Sequence, residues 1–284
     1  MIDIKSKCRG GDNLKTKEFY PLTDDLCFKK VFSQKLVAKD FLNAFFEYIG
    51  EDKKVVHFEI ITNKEMIASG RNKKVFYGDI IIVLDSGEAI SIEIYNRFKE
   101  REFNKSLSYL TRIFSEQLGR GAKYEDIKKM ICINIVKNNS VIENDYLINR
   151  YSLINKEDDT AYGNMMVENF VINLDILKKI IYNEHKRLIK WLNIINAEEH
   201  MEIKREVEGD EIMEQTLEFM ESFINDEQIR EQYDKINDVE YYAKQEGKKE
   251  NSFEVARNLL KTDLKIDEIA KATGLTKEEI EALK

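Results

Sequence analysis

The chain has 284 residues, 43% hydrophobic and 35% charged, with one proline and a formal net charge of −8. That is enough chain for one large domain or a domain with an appendage, and its acidic balance sets up no global basic field for nucleic acid. No apolar run nears the ~20 residues of a membrane helix, and the polar stretch Met1–Gly11 lacks the apolar core of a signal peptide, so neither a membrane-spanning nor an exported chain is expected. Cys8, Cys27 and Cys132 are scattered without Cys-x-x-Cys spacing, and His57, His185 and His200 are equally dispersed. A disulfide framework, a zinc site and a His-dependent nucleophilic triad fit this pattern poorly; a reducing, cytoplasmic setting fits it well.

In chain order, residues 22–50 read as helical, with Phe28, Val31, Phe32, Phe41, Leu42, Phe45 and Phe46 at helical spacing and Asp24 or Asp25 as N-cap. Residues 55–62 read as a strand. Next come two β-branched runs, 75–84 and 88–95, separated by Asp85-Ser86-Gly87. This is a hairpin pattern, and a three-residue loop ending in Gly suits a type I turn plus a bulge. The register follows: Ile82 faces Ile90 and Ile80 faces Ile92 on one side of the sheet, while Ile81 faces Ser91 and Asp79 faces Glu93 on the other. Two carboxylates about 5 Å apart repel by about 3 kcal/mol at an effective dielectric near 20. Either one takes up a proton or a cation sits with them, and Mg²⁺ is the oxygen-liking ion that binds through one or two carboxylates. A solvated strand face is the simpler reading of the same two residues, and a one-residue slip in register would separate them.

Beyond the hairpin lies a basic stretch, Lys99, Arg101, Lys105, Arg112, Arg120, Lys123, Lys128 and Lys129. Arg101, Lys105, Arg112 and Lys123 are its candidate phosphate contacts, against the plainer reading of solvated helix faces. Residues 101–121 read as a long helix with the apolar stripe Phe103, Leu107, Leu110, Ile113, Phe114 and Leu118, ended by Gly119 or Gly121. Met130–Val136 reads as a buried parallel strand reached through that crossover helix. Residues 166–175 read as a strand and 176–197 as a helix around Trp191. Strand, hairpin, long helix and strand make a mixed sheet flanked by helices. After about 205 the chain turns acidic and helical. The expected division is a domain over 1–205, a charged helical connector over 206–250 and a small helical module over 251–284, whose last helix carries a Thr276/Glu279 capping box.

This order resembles the PD-(D/E)XK nuclease superfamily, and within it the recombination-promoting nuclease, or transposase-like, family common in bacteria. The resemblance rests on Asp25-x-x-Phe28-Lys29-x-x-Phe32, on Gly78-Asp79-Ile80, on Ile92-Glu93-Ile94, and on Tyr109 with Gln117-Leu118-x-x-Gly121-x-x-Tyr124. The tail from Ala256 through Ile280 is similar to that family's C-terminal module. The resemblance implies a restriction-endonuclease-like α/β fold with a C-terminal helical appendage, in which Asp79 and Glu93 bind Mg²⁺ or Mn²⁺ for hydrolysis of DNA phosphodiesters. It implies DNA as partner, allows a homodimer whose two sites address two strands, and implies no organic cofactor and no membrane.

One departure bears on activity. The superfamily's third residue, Lys in most members and often Gln in this family, is Tyr95 here. A phenol carries no fixed charge and, with a pKa near 10, is a poor base at neutral pH. Arg97, placed two residues on along the same face, and Lys105, on the next helix, are the candidate replacements. Asp25 is a further candidate for the site by resemblance, with a helix-capping role as its alternative. Two functional readings follow, a metal-dependent DNA endonuclease serving recombination or mobile elements, and a degenerate nuclease fold that binds DNA or protein as a regulator. A third, a helix-turn-helix over 264–284, sits badly with Glu278, Glu279 and Glu281 on its would-be recognition helix, since readers of bases favour Arg, Lys, Asn and Gln; protein contact suits that module better.

Overall fold

The computed structural model describes residues 19–61, 65–67, 75–77, 79–117, 123–160, 166–180, 186–227, 229, 231–232, 250–262 and 264–283. The chain divides after Asn225 into two units. The first opens with α1 (Asp25–Phe32), α2 (Lys35–Tyr48), β1 (Phe58–Ile61), β2 (Glu65–Ile67), β3 (Val75–Tyr77), β4 (Ile80–Leu84), β5 (Ala89–Tyr95) and α3 (Glu100–Glu116). It continues with β6 (Met130–Val136), β7 (Ile148–Ser152), β8 (Val167–Asn173), α4 (Lys186–Asn196), α5 (His200–Val207) and α6 (Glu211–Asn225).

The hairpin has the expected register. Ile80 pairs with Ile92, Ile81 with Ser91, Ile82 with Ile90 and Val83 with Ala89. Its turn closes through the Leu84 and Gly87 amides, and Gly87 takes φ +83°, the left-handed conformation its bulge position requires. The strand expected over 55–62 forms as β1, antiparallel to β4. After the α3 crossover, β6 lies parallel to β5 and β8 parallel to β6. The result is a six-stranded mixed sheet in the order β1-β4-β5-β6-β8-β7, with helices on both faces. Every residue of β5 and β6 is buried, as covering both faces demands.

On one face, Ile81, Ala89, Met130 and Cys132 pack against Tyr109, Leu110 and Ile113 of α3. On the other, the Phe45 ring of α2 meets Phe170 of β8 at 5.1 Å, and Phe32 of α1 lies 6.3 Å from Trp191 of α4. Asp40 ties this helical layer together by accepting from Trp191 Nε1 at 2.6 Å and from Arg187 Nε at 2.7 Å, while Arg187 also pairs with Asp210. Helix α6 packs on α1, α2 and α5, within the first unit.

Several expectations are corrected. The helical stretch 22–50 is two helices, because Ser33 Oγ takes the Lys30 carbonyl at 2.7 Å and Gln34 turns extended before α2 begins. The helix expected over 176–197 does not hold at its start, where Leu174–Lys179 is a 3-10 turn capped by Asn173; its described helical part is α4, and 181–185 lie outside the described residues. The α3 stripe is rotated from the apolar reading. Leu107 is 45% exposed, while Ser106 and Tyr109 are buried, because Ser106 Oγ finds a buried partner in Asn169 at 3.2 Å. We therefore expect Leu110→Ala to cost about 2–5 kcal/mol in urea denaturation and Leu107→Ala about 0.5 kcal/mol or less; equal costs would show the helix rotated back. The run 75–84 expected as one hairpin strand is two: β3 pairs with β2 in a separate two-stranded sheet, and only β4 belongs to the hairpin. Edge strand β7 and strand β2 were not legible in the sequence. Gly78, Leu118, Gly119 and Gly121 lie outside the described residues, as do 233–249 of the expected connector.

In the second unit, residues 250–259 form α7, followed by α8 (Ile266–Thr273) and α9 (Lys277–Glu281). Ala256, Ile269, Leu275 and Ile280 make its core. Gly274 ends α8 at φ +73°, and the Thr276/Glu279 capping box forms as expected. Among the described residues no helix is long and apolar enough to cross a membrane.

Candidate active site

Two elements, β5 and α1, converge on Asp79, which immediately precedes β4. From β5, Glu93 accepts the Asp79 amide at 3.2 Å through Oε1, and the Ile94 amide donates to Asp79 Oδ2 at 3.0 Å. Each carboxylate is thus tied to the other's strand. Ser91, which shares a sheet face with Glu93, donates to the same Oε1 at 2.9 Å. From α1, Lys29 Nζ lies 2.8 Å from Asp25 Oδ2 and 3.2 Å from Asp79 Oδ1. The choice of cap makes this geometry available. Asp24 accepts from the Leu26 and Cys27 amides, which leaves Asp25 free to project at the site. Asn96 Nδ2, just past β5, donates to the Thr23 carbonyl at 2.6 Å and so fixes the start of α1 to the end of the hairpin.

Helix α3 supplies the other flank. The Lys105 ammonium sits 5.4 Å from the ring centroid of Tyr95 and 5.1 Å from that of Tyr109, a cation held on two aromatic faces. The Tyr95 ring is packed with Phe98, Val136 and Val171, and its hydroxyl is buried with no hydrogen-bond partner among the described residues. Beneath the site runs a buried polar chain. Cys132 Sγ lies 3.6 Å from both Ser106 Oγ and Asn134 Oδ1, and Asn134 Nδ2 donates to Asn169 Oδ1 at 2.6 Å.

The electrostatics follow from burial. Glu93 is fully buried and Asp79 is 9% exposed. Burial and then the charge of Asp79 push the Glu93 carboxyl up to about 8; Ser91 and Lys105 pull the other way. Burial and then Asp25 push Asp79 up to about 6, against the opposing pull of Lys29. Burial alone would lower Lys29, but Asp79 and Asp25 outweigh it and hold the ammonium charged. Burial and the neighbouring Glu93 raise the Tyr95 phenol, which makes it a still poorer base than a free tyrosine.

Of the residues singled out from sequence, the fold brings Asp25, Asp79, Glu93, Tyr95 and Lys105 together. Arg97 is a correction. Strand β5 ends at Tyr95, so alternation does not carry on to Arg97, which sits exposed in the bend that follows. Arg101 and Lys123 are exposed and Arg112 is half-buried, all on or beyond α3. Sequence reasoning gave no role to Lys29, Ser91 or Tyr109. The signals were present: Asp25 and Lys29 are spaced i,i+4, and Ser91, Glu93 and Tyr95 alternate on one strand face.

The donor set was weighed against a divalent cation. Among the described residues no group of three or more His, Cys, Asp or Glu forms a ready metal cage. With Asp25 held by Lys29, Asp79 and Glu93 are the two carboxylates on offer, and Glu93 Oε2 is a buried acceptor with no partner among the described residues. That set fits Mg²⁺, which keeps most of its waters and binds through one or two carboxylates. A cleft of about 530 Å³ at the far ends of β6 and β8, lined by Lys137, Asp175, Asn196, Glu198 and Arg205 among others, contains none of these residues. A family model described as PD-(D/E)XK nuclease family transposase matches residues 22–250. No curated protein and no solved structure matches the chain.

Proposed function

The chain belongs to the PD-(D/E)XK nuclease family of transposases, and on that premise we propose that it is a divalent-metal-dependent DNA endonuclease. The observation that carries the reading is the buried Asp79–Glu93 pair, in which Glu93 accepts from the Asp79 amide, Asp79 accepts from the Ile94 amide, and Glu93 Oε2 has no partner among the described residues. Asp79 and Glu93 would hold Mg²⁺ or Mn²⁺, which supplies Lewis-acid polarisation of a phosphate and a more acidic water. Ser91 and the Asp79 amide fix Glu93 through Oε1, so Oε2 is the oxygen that would be left for a cation. Hydrolysis joins a water oxygen to phosphorus and breaks one P–O ester bond, the leaving oxygen taking up a proton. Lys105, resting on the rings of Tyr95 and Tyr109, supplies the positive charge that the lysine missing at position 95 would have carried. Arg101, Arg112 and Lys123 extend a basic track for the DNA backbone. The chain divides functionally as a nuclease-like domain, a charged helical connector and a C-terminal module suited to protein contact. A homodimer would bring two such sites to two strands.

The test is plasmid cleavage with Mg²⁺, Mn²⁺ or EDTA, beside Asp79→Asn. Metal-dependent nicking that this variant lacks is the expected result. Absence of cleavage by folded protein in either metal would leave the regulator reading, with Tyr95 as its mark. Lys105→Ala and Tyr95→Leu should each lower kcat by about tenfold or more. Because they dismantle one device, the double variant should lose no more than about the larger single loss. Fully multiplicative losses would refute the aromatic platform.

A further inference from the structure

The carboxylates already have a cation. Lys29 Nζ bridges Asp25 Oδ2 at 2.8 Å and Asp79 Oδ1 at 3.2 Å, and its side chain is 31% exposed. Its base is rigid. Phe28, Val31 and Phe32 of α1 are buried, Asp24 caps the helix, and Asn96 holds Thr23. Lys105 is placed otherwise, over two rings, with no ion pair to Asp79. The charge balance distinguishes the two. Asp25, Asp79 and Glu93 set three carboxylates against two ammonium groups; a divalent cation and one phosphodiester added to them bring the fully ionised total to zero. With the metal but without the phosphate, the site holds one positive charge too many, and Lys29 shares Asp79 with the incoming ion.

We propose that Lys29 is the site's built-in counter-cation, which holds Asp79 in the metal-free protein and passes to a non-bridging oxygen of the substrate phosphate when a divalent cation takes Asp79. This rests on the reading of Asp79 as a metal-holding group. An ammonium suits the exchange, since three rotatable donors on a flexible stem let it keep Asp25 while it trades Asp79 for phosphate. Lys29 thereby opposes metal in the absence of DNA and favours it in the presence of DNA, so that loading of metal and of substrate becomes mutually reinforcing.

The experiment is calorimetric titration of Mg²⁺ into the DNA-free full chain, parent against Lys29→Met and Lys29→Arg, with steady-state cleavage of a short duplex alongside. Lys29→Met should bind Mg²⁺ more tightly by up to about fivefold, the ceiling for one half-exposed ion pair. Its kcat should fall by about 10²-fold with KM within about threefold, and Lys29→Arg should recover part of the kcat. Unchanged or weaker Mg²⁺ binding by a folded Lys29→Met would overturn the competition, and an unchanged kcat would overturn the transfer to phosphate. Should Lys29→Met fail to fold, Lys29→Gln carries the same two readings. If the parent cuts nothing, the endonuclease reading falls by itself, and the Mg²⁺ titration still decides whether Lys29 competes for Asp79.

Discussion

Glu93→Gln is expected to stabilise the metal-free protein above pH 7 while cutting metal-dependent cleavage by about 10³-fold or more. The two effects share one cause. Gln keeps the oxygen that accepts from Ser91 and the Asp79 amide and removes a buried charge that burial and Asp79 disfavour more than Ser91 and Lys105 favour it. The sign of the pH dependence follows from the shift. Glu93 titrates near 8 in the fold against an ordinary value of 4.5, so its favourable contribution is complete below about 4.5 and is lost as pH rises through about 8. Parent and variant should therefore melt together near pH 5 and separate by pH 8.5, with Glu93→Gln ahead by about 1–3 kcal/mol, the usual cost of an unsatisfied buried polar group. Melting curves at the two pH values, with EDTA, measure it. A variant less stable than the parent at pH 8.5 would mean that Glu93 is already compensated and is no cation site.

Glu168→Ala should be the most damaging change away from the site. Glu168 of β8 is fully buried, its Oε1 accepts from Arg150 Nε of β7, and its Oε2 pairs with Lys129 just before β6. Arg150 also pairs with Glu51 at 2.8 Å and lies 5.3 Å from the Phe170 ring centroid. Removing the carboxylate leaves two half-covered cations facing a void. A loss of about 3–5 kcal/mol follows from breaking such a pair from one side, or roughly 6–15 °C in Tm for a domain of this size. Glu168→Gln, which keeps volume and one acceptor, should fall between. A loss under about 1 kcal/mol for Glu168→Ala, by urea denaturation, would show that water replaces the carboxylate.

What the sequence made legible was what alternation carries. The hairpin register, and with it the approach of Asp79 to Glu93, follows from a period of two and a Gly at the turn, both local. The crossover to β6 was legible because a buried parallel strand is a short continuous apolar run. Strand β7 was hidden because an edge strand reading Ile-Asn-Arg-Tyr-Ser buries little. Ser106 was passed over for Leu107 because an apolar count cannot see a serine whose partner, Asn169, lies 63 residues away. Lys29 was hidden for the same reason: its link to Asp79 exists only once α1 is laid across the hairpin. The face assigned to Arg97 erred in the opposite way, by extending a strand's alternation past the strand's last residue.

The position of β5 in the sheet has a consequence during synthesis. Asp25, Lys29, Asp79, Glu93 and Lys105 all lie within the first 105 residues. Yet β5 is sandwiched between β4 and β6, and β6 in turn leans on β8, which ends at Asn173. A ribosome-bound chain therefore carries every charged group of the site well before it carries the strands that close the second edge of β5. The charged groups are translated before the half of the sheet that supports β5 from its second edge.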